Sequence, residues 1–185
     1  MRVEETKLPG VLLIKPLIFQ DARGIFLETF QSDKYRDIGI NQTFVQDNTS
    51  RSCQGVLRGL HFQLEKPQAK LVFVTRGAVF DVVVDVRYGS PTFGQWAGFE
   101  LNDQNRHQLF IPEGFAHGFE ALSPEVDFFY KCTDFYHPPG EAGIRWNDPS
   151  IGIQWMTKNP IVADRDNAYP LLKELTAPQL LPYAC

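Results

Sequence analysis

Short strand-like runs follow one another along most of this chain, and they restrict it to a small set of folds. The runs are rich in Val, Phe, Tyr and Ile, and turn residues such as Arg76-Gly77 and Gly89-Ser90-Pro91 separate them. They are Val11–Leu17, Gly24–Phe30, Thr43–Asn48, Gly55–Gln63, Lys70–Thr75, Ala78–Arg87, Gln95–Leu101, Gln108–Ile111, Ala116–Leu122 and Asp127–Thr133. Many short strands with little helix predict an all-β fold: a β-sandwich, a jelly roll or a barrel.

Helical signals are few, and the C-terminal part loses the strand pattern. Ser32 is expected to cap a short helix that runs through Asp37 and stops at Gly39. After Thr133, Pro and Gly residues recur as far as Pro182, which predicts a mostly irregular tail. We therefore expect residues 1–185 to form a single domain, with a barrel core at about residues 43–135 flanked by N-terminal strands and the tail.

The run Phe80–Arg87, written FDVVVDVR, predicts how one central strand is oriented. Side chains alternate between the two faces of a strand, so the three valines at 82, 84 and 86 share one dry packing face. Asp81 then points to the opposite side, which suits a barrel with an interior large enough for a ligand.

Charge and composition exclude several classes of protein. The net charge of −4 argues against a nucleic-acid surface, because phosphate binding needs a basic excess. No segment approaches the length of about 20 apolar residues that a membrane span needs. The cysteines at 53, 132 and 185 have no CxxC spacing, which is typical of a reducing compartment. We expect a soluble, cytoplasmic protein with no nucleic-acid or membrane partner.

The segment Val56–Gln63, written VLRGLHFQ, carries an arginine and a histidine inside a run that otherwise resembles a buried strand. A lone histidine in such a run is most often a hydrogen-bonded core residue. Here Arg58 precedes His61 and Lys70 follows shortly after. A guanidinium charge is tolerated beside a dry core only where something anionic meets it, so these three residues indicate a pocket for an anion or for developing negative charge.

The sequence from Pro112 to His117 reads Pro-x-Gly-x-x-His and resembles the second motif of the cupin superfamily, a small jelly-roll barrel. Metal-binding cupins place His-x-His in their first motif, whereas this chain has His61-Phe62-Gln63. Because one imidazole is missing, a metal site is hard to assemble. We therefore expect no metal and no other cofactor.

A barrel without a metal must perform acid–base chemistry with its own side chains. The phenol of Tyr130 can donate a proton and recover it, although a satisfied core aromatic is an equally good interpretation of this residue alone. Asp166 reads as a charged loop residue, and nothing in the residues themselves pairs it with His61.

Taken together, the motifs resemble one family closely. They are VLRGLHFQ at 56–63, Lys70-Leu71-Val72, GAVFDVVVDVR at 77–87, GSPTFGQW at 89–96, IPEGFAHGF at 111–119, Tyr130-Lys131-Cys132-Thr133 and Gly143-Ile144-Arg145-Trp146. In this order and spacing the chain resembles dTDP-4-dehydrorhamnose 3,5-epimerases, from about Gly10 to Asp166. The resemblance implies a metal-independent cupin that inverts C3 and C5 of a dTDP-4-keto-6-deoxy sugar, both of which lie alpha to the C4 ketone.

The resemblance also implies roles for individual residues. His61 is expected to be the base, held by Asp166, and Tyr130 the acid on the opposite face, with Lys70 beside the keto sugar. Residues expected to bind the substrate, in addition to Lys70, are Arg23, Phe26, Glu28, Gln46, Asp47, Asn48, Arg58, His117, Tyr136, Glu141 and Arg165. Tyr136 is expected to stack on thymine, and His117 to form a polar pair with Asp81.

Two positions need separate comment. Arg165 stands where the family usually has lysine, which keeps the charge but changes the contact geometry. Arg58 and His61 would face opposite sides of a regular strand, so for both to line one site Gly59 should mark a bulge.

Three functions remain open from the sequence: a 3,5-epimerase, a mono-epimerase acting on C3 or C5 only, and a non-catalytic sugar-binding cupin. The resemblance further implies a homodimer in which the N-terminal region around Arg23 and Phe26 crosses to the partner and completes its site.

Overall fold

Two β-sheets face each other in the structure, a computed structural model that describes residues 1–183. The strands are β1 (Arg2–Glu5), β2 (Leu12–Lys15), β3 (Ile18–Asp21), β4 (Gly24–Leu27), β5 (Gln46–Cys53), β6 (Val56–Gln63), β7 (Lys70–Arg76), β8 (Ala78–Asp85), β9 (Trp96–Asn102), β10 (Gln108–Ile111), β11 (Phe115–Ala121), β12 (Glu125–Cys132), β13 (Glu141–Gly143) and β14 (Ile161–Val162). The first sheet has the order β1-β2-β10-β7-β12-β5. The second has the order β13-β6-β11-β8-β9, with β14 paired in parallel to β6. The mostly antiparallel architecture confirms the all-β, jelly-roll prediction.

The main hydrophobic core lies between these sheets. Val72 and Phe128 of the first sheet pack in one cluster with Val83 and Phe119 of the second, and all four are nearly or fully buried. The rings of Phe119 and Phe128 are stacked, with their centroids 4.2 Å apart. Burying one such side chain contributes about 1.5–3 kcal/mol, so this cluster is the main force that holds the sheets together.

Strand β8 has the orientation that its alternation predicts. Val82, Val84 and Val86 pack in a second cluster on the outer face of their sheet, while Val83 lies in the core between the sheets. Asp81 points inward with Val83 and is fully buried. The prediction of a polar group inside the fold is therefore confirmed.

A short helix covers the outer face of the first sheet. Helix α1 (Ser32–Asp37) buries Tyr35 against Leu71 and Phe110. Its N-cap is Gln31, whose side-chain oxygen accepts the N–H of Lys34 at 2.7 Å, so the prediction of Ser32 as the cap was wrong by one residue. The chain leaves the helix at Gly39, whose φ of +90° suits glycine, as expected.

The C-terminal tail covers the outer face of the second sheet. It is mostly irregular, as predicted, but it includes β13, β14 and helix α2 (Asp164–Ala168), which the sequence did not indicate. Its buried residues Ile144, Ile151, Leu172 and Leu180 pack on the valine face of β8. The tail therefore seals the second sheet and brings α2 to the edge of β6.

Strand β5 shows the largest difference between the expected and the observed position of a strand. It was expected at Thr43–Asn48 and lies at Gln46–Cys53. Its side chains are almost all polar and alternate between exposed positions and half-buried or buried ones, so no apolar run marks it. Strands β1 and β3 were also missed.

None of the helices in residues 1–183 is long and apolar enough to cross a membrane. Cys53 and Cys132 form no disulfide in this part of the chain, and Cys185 lies outside the described residues.

Candidate active site

A cavity of about 630 Å³ opens between the two sheets. Strands β5, β7 and β12 form one wall, and β6, β11, β14 and α2 form the other. Most of the residues singled out from the sequence line it: Gln46, Asn48, Arg58, His61, Lys70, His117, Tyr130, Tyr136, Glu141, Arg165 and Asp166. The volume is in the range of small-molecule sites.

His61 and Asp166 form a hydrogen-bonded pair on the second wall, although they are 105 residues apart in the chain. The distance between His61 Nε2 and Asp166 Oδ1 is 2.7 Å, and the other carboxylate oxygen accepts the N–H of Gly59 at 3.0 Å. Burial alone would raise the pKa of the Asp166 carboxyl, but hydrogen bonds from His61 and Gly59 outweigh it and hold that pKa below its usual value. An ionised carboxylate only accepts, so Nε2 of His61 carries a hydrogen, and in the neutral form of the imidazole Nδ1 is then the nitrogen with the lone pair.

A bulge in β6 lets Arg58 and His61 line the same cavity. His61 pairs with His117 and Arg58 pairs with Phe119, so three steps along β6 match two along β11. Gly59, in this bulge, has a φ of +130°, and a Cβ on it would lie 2.6 Å from the Cα of Gly118. Only glycine fits such a close approach. The bulge expected at Gly59 is confirmed.

Directly across the strand pairing from His61, His117 makes a second histidine–carboxylate pair. Its Nε2 lies 2.9 and 3.0 Å from the two oxygens of Asp81. Asp81 is fully buried, and loss of hydration raises the pKa of its carboxyl despite the opposing effect of His117 and Lys70. The polar pair expected inside the fold is therefore present.

Lys70 and Tyr130 stand on the first wall, facing the two histidines. Burial lowers the pKa of the Lys70 ammonium, and an anionic ligand would favour its charged form again. Burial also raises the pKa of the Tyr130 phenol, so its hydroxyl keeps its proton at neutral pH. The cavity therefore places the His61 imidazole on one wall and a protonated phenol on the other.

A cluster of polar side chains surrounds the mouth of the cavity. The same carboxylate oxygen of Glu141 accepts from the Tyr136 hydroxyl and from Arg165 Nη1, both at 2.8 Å. Arg165 also lies 3.6 Å from Asp166 through its Nε. Gln46 accepts the backbone N–H of Tyr136 at 2.9 Å and so holds that ring at the rim.

Comparison with known proteins identifies the chain's family. The sequence model of the dTDP-4-dehydrorhamnose 3,5-epimerase family matches residues 5–174. The chain belongs to this family. A dTDP-4-dehydrorhamnose 3,5-epimerase of Methanothermobacter thermautotrophicus is 51% identical over 176 residues, which cover 94% of this chain and 95% of that protein.

Solved structures of epimerases share the fold over nearly the whole chain. An epimerase from Legionella pneumophila in complex with dTDP-4-keto-L-rhamnose superposes with a TM-score of 0.97 at 47% identity, covering 100% of this chain and 99% of its own. ChmJ, a 3'-monoepimerase from Streptomyces bikiniensis in complex with dTDP-quinovose, has a TM-score of 0.86 at 34% identity, covering 91% of this chain and 86% of its own.

Four of the residues that the family resemblance implicated lie outside the cavity of this single chain. Asp47 faces the opposite side of β5 from its neighbours and pairs with Lys131 at 2.7 Å. The other three, Arg23, Phe26 and Glu28, belong to the β3–β4 hairpin or directly follow it. Their roles stay predictions.

Gln63, on which the metal-free expectation rests, is buried and bonded to two loops. Its amide nitrogen donates to the carbonyls of Lys66 and Phe135, and its amide oxygen accepts the N–H of His137 at 3.0 Å. Across residues 1–183, no group of three or more His, Cys, Asp or Glu side chains is placed to hold a metal. Metal independence stays a prediction.

Sequence reasoning missed several residues of the site. Phe128 and Cys132 share the inner face of β12 with Tyr130, so strand alternation already contained the signal for them. Ser50 lines the cavity with Asn48, but it lies beyond the expected end of its strand. Tyr169 was missed without any such signal. Its ring packs against the imidazole of His61 with centroids 5.7 Å apart.

Proposed function

We propose that this chain inverts C3 and C5 of dTDP-4-dehydro-6-deoxy-D-glucose and so forms dTDP-4-dehydro-L-rhamnose. The observation that carries the proposal is the placement of the His61–Asp166 pair and of Tyr130 on facing sheets of one cavity. Inversion of a carbon requires removal of a proton from one face and delivery to the other. Membership of the epimerase family supports the same reaction.

His61 acts as the base through Nδ1. Both C3 and C5 lie alpha to the C4 ketone, so loss of either proton gives an enolate whose charge is delocalised onto the C4 oxygen. Asp166 holds the imidazole through Nε2 and stabilises the imidazolium that forms. Lys70, on the first wall, provides positive charge beside the keto sugar. Arg58, at the bulge, provides positive charge for the diphosphate.

Tyr130 then donates its proton to the opposite face of the same carbon. Its raised pKa keeps the hydroxyl protonated until the enolate forms, and the enolate is basic enough to accept from it. The site returns to its starting state when His61 loses the abstracted proton and Tyr130 regains one, both by exchange with water. The second carbon repeats the cycle.

The experiment is incubation with the keto sugar in D2O, for the natural enzyme and for Tyr130→Phe. The natural enzyme should place deuterium at C3 and C5 with inversion at both. Tyr130→Phe should still exchange, because His61 forms the enolate and returns a solvent-derived deuteron to the same face. Its yield of inverted product should fall about 10²–10⁴-fold, the usual contribution of a general acid.

Tyr88→Phe is the matched control, because Tyr88 is 58% exposed and does not line the cavity. It should keep natural activity. Near-natural inversion by Tyr130→Phe would remove Tyr130 from the mechanism.

A mono-epimerase acting on C3 or C5 only is the second candidate, and the similarity to ChmJ favours it over a non-catalytic sugar-binding cupin. In D2O a mono-epimerase places deuterium at one carbon. Exchange at neither carbon would instead indicate the non-catalytic cupin.

We also propose a homodimer in which the β3–β4 hairpin reaches the partner's site. This hairpin exposes Phe19 and Phe26 by 56% and 69%, and exposed apolar clusters mark interaction surfaces. A mixed dimer of Arg23→Ala and His61→Ala chains should then show activity that neither homodimer shows. Full activity of a demonstrably monomeric preparation would exclude shared sites.

Three further expectations belong to this proposal. The chain forms one domain, as the pairing of tail strands β13 and β14 with β6 supports, and limited proteolysis should release no stable half. It works in the cytoplasm, where a reducing environment preserves the exposed Cys53 thiol; fractionation of cells tests this. Its activity survives thorough chelation; loss with EDTA and rescue by a divalent cation would contradict the argument from Gln63.

A further inference from the structure

We propose that Tyr169 is a positioning residue that holds the imidazole of His61 in the orientation needed for proton removal. This inference rests on the proposed role of His61 as the base. The rings of Tyr169 and His61 meet edge to face, with centroids 5.7 Å apart and planes inclined by 66°. Such aromatic contacts have a preferred geometry and therefore orient the ring that they touch.

The hydrogen bond to Asp166 does not by itself prevent the imidazole ring from rotating. It fixes the position of Nε2, but the terminal torsion of a histidine side chain has a broad energy profile. A ring that tilts about this bond moves Nδ1, the atom that accepts the proton. The contact with Tyr169 opposes that tilt, so Asp166 and Tyr169 together define both the position and the plane of the base.

Gly143 makes room for the tyrosine ring. In the pairing of β13 with β6, Gly143 lies directly opposite His61. A Cβ on Gly143 would lie 2.5 and 2.7 Å from two carbons of the Tyr169 ring, so the ring rests against the backbone where only glycine fits. The pairing of β13 with β6 therefore places the Tyr169 ring next to His61.

Three hydrogen bonds anchor the segment that carries Tyr169. Arg145 donates from Nε to the carbonyl of Tyr169 at 3.1 Å and from its backbone N–H to the carbonyl of Pro170 at 2.9 Å. Within α2, the side-chain oxygen of Asn167 accepts a hydrogen bond from Trp146 Nε1 at 2.9 Å. Asp166 and Tyr169 consequently lie on the same anchored segment, and both contact the imidazole of His61.

The tyrosine acts through His61 rather than by its own proton transfer. Tyr169 is not among the residues that line the cavity, and burial raises the pKa of its phenol to about 12. Its hydroxyl therefore stays protonated throughout the working range of pH. The aromatic ring is the part of the side chain that matters.

The test compares Tyr169→Ala with Tyr169→Phe in steady-state kinetics and in deuterium exchange. Tyr169→Ala should lower kcat about 10- to 100-fold, because a displacement of about 1 Å at a reacting group costs up to about 100-fold in rate. KM should stay within about threefold, because no cavity contact is lost, and exchange should fall in parallel with kcat. Tyr169→Phe keeps the ring and should retain most of the turnover. Tyr88→Ala is the control for loss of an exposed tyrosine ring.

Natural kcat in Tyr169→Ala would overturn the proposal, and so would an equal loss in Tyr169→Phe, since the hydroxyl would then be the active group. If Tyr169→Ala does not fold, as judged by its thermal melting curve, Tyr169→Leu replaces it under the same criteria.

A second readout uses the free enzyme and needs no turnover. In histidine labelled with ¹⁵N, the Nε2–H proton of His61 should be slow to exchange in the natural enzyme and faster in Tyr169→Ala. An unchanged exchange rate would overturn the proposal. Absence of deuterium incorporation by the natural enzyme would instead contradict the proposed function, so the two failures are distinguishable.

Discussion

The cavity contains two histidine–carboxylate pairs on adjacent strands, and these pairs differ in their exposure and in the element that supplies the carboxylate. His61 and His117 are direct register partners in β6 and β11. His61 keeps 22% of its side chain exposed and takes its carboxylate from a distant helix, whereas His117 keeps 9% exposed and takes its carboxylate from the neighbouring strand β8.

The pKa values of the two carboxyl groups, Asp166 and Asp81, are shifted in opposite directions. The pKa of Asp166 is lowered, because hydrogen bonds from His61 and Gly59 outweigh its burial. The pKa of Asp81 is raised, because complete burial outweighs His117 and Lys70. The surroundings therefore shift the pKa values of two chemically identical carboxyl groups in opposite directions: the charged form of Asp166 is favoured, and that of Asp81 is disfavoured.

His61→Ala should produce the largest effect and the sharpest contrast. Without its imidazole no enolate forms, so both deuterium exchange and product should fall by about 10⁴-fold, the upper end for a general base. His117→Ala, the matched change in the second pair, should retain exchange at least about tenfold above His61→Ala. Deuterium exchange is measured by mass spectrometry. Equal losses of exchange in the two variants would contradict the different roles of the two pairs.

Asp166→Asn should have the next largest effect, about 10²- to 10³-fold on kcat. The amide keeps the shape but presents N–H₂ to one of two donors, the His61 Nε2–H or the Gly59 N–H. The imidazole then adopts the wrong tautomer or turns away, as removal of a carboxylate partner does in triads. Steady-state kinetics measures this loss; natural kcat would show that Asp166 has only a structural role.

Asp81→Asn should change kcat by less than about tenfold, because an amide oxygen still accepts from His117 and no proton transfer passes through Asp81. The same kinetic assay gives the comparison. A loss as large as that of Asp166→Asn would place both pairs in the chemistry.

The smallest expected effect is on the pH dependence of the free energy of unfolding. Because the folded pKa of Asp166 is lowered, its contribution is present above about pH 4 and is lost as the pH falls through the folded pKa. Because the folded pKa of Asp81 is raised, its contribution is present below about pH 4 and is lost as the pH rises through the folded pKa.

Denaturant unfolding across pH should therefore give Asp166→Asn and Asp81→Asn slopes that differ from the natural protein in opposite senses. Slopes that change in the same sense would contradict the assignment of the two carboxylates.

Strand alternation predicted much of the interior from local residues alone. It oriented β8 with Asp81 inward and the valines outward, and together with Gly59 it required the bulge that brings Arg58 to the cavity. It failed at β5, where polar side chains on both faces give no apolar signal, and at the cap of α1, where a glutamine replaces the usual short side chain.

The contacts around His61 could not be predicted from the local sequence pattern. Asp166 lies 105 positions from His61, and Tyr169 follows it on the same segment. The family resemblance paired Asp166 with His61, but nothing in the residues indicated Tyr169.

The sequence by itself determined the all-β fold, the inward and outward faces of β8 and the membership of an epimerase family, because these depend on local periodicity and on motifs. Only the tertiary structure decided that Asp166 and Tyr169 both contact His61, and that the pKa values of Asp166 and Asp81 are shifted in opposite directions. Those properties depend on burial and hydrogen bonding between segments far apart in the chain, and packing alone brings such segments together.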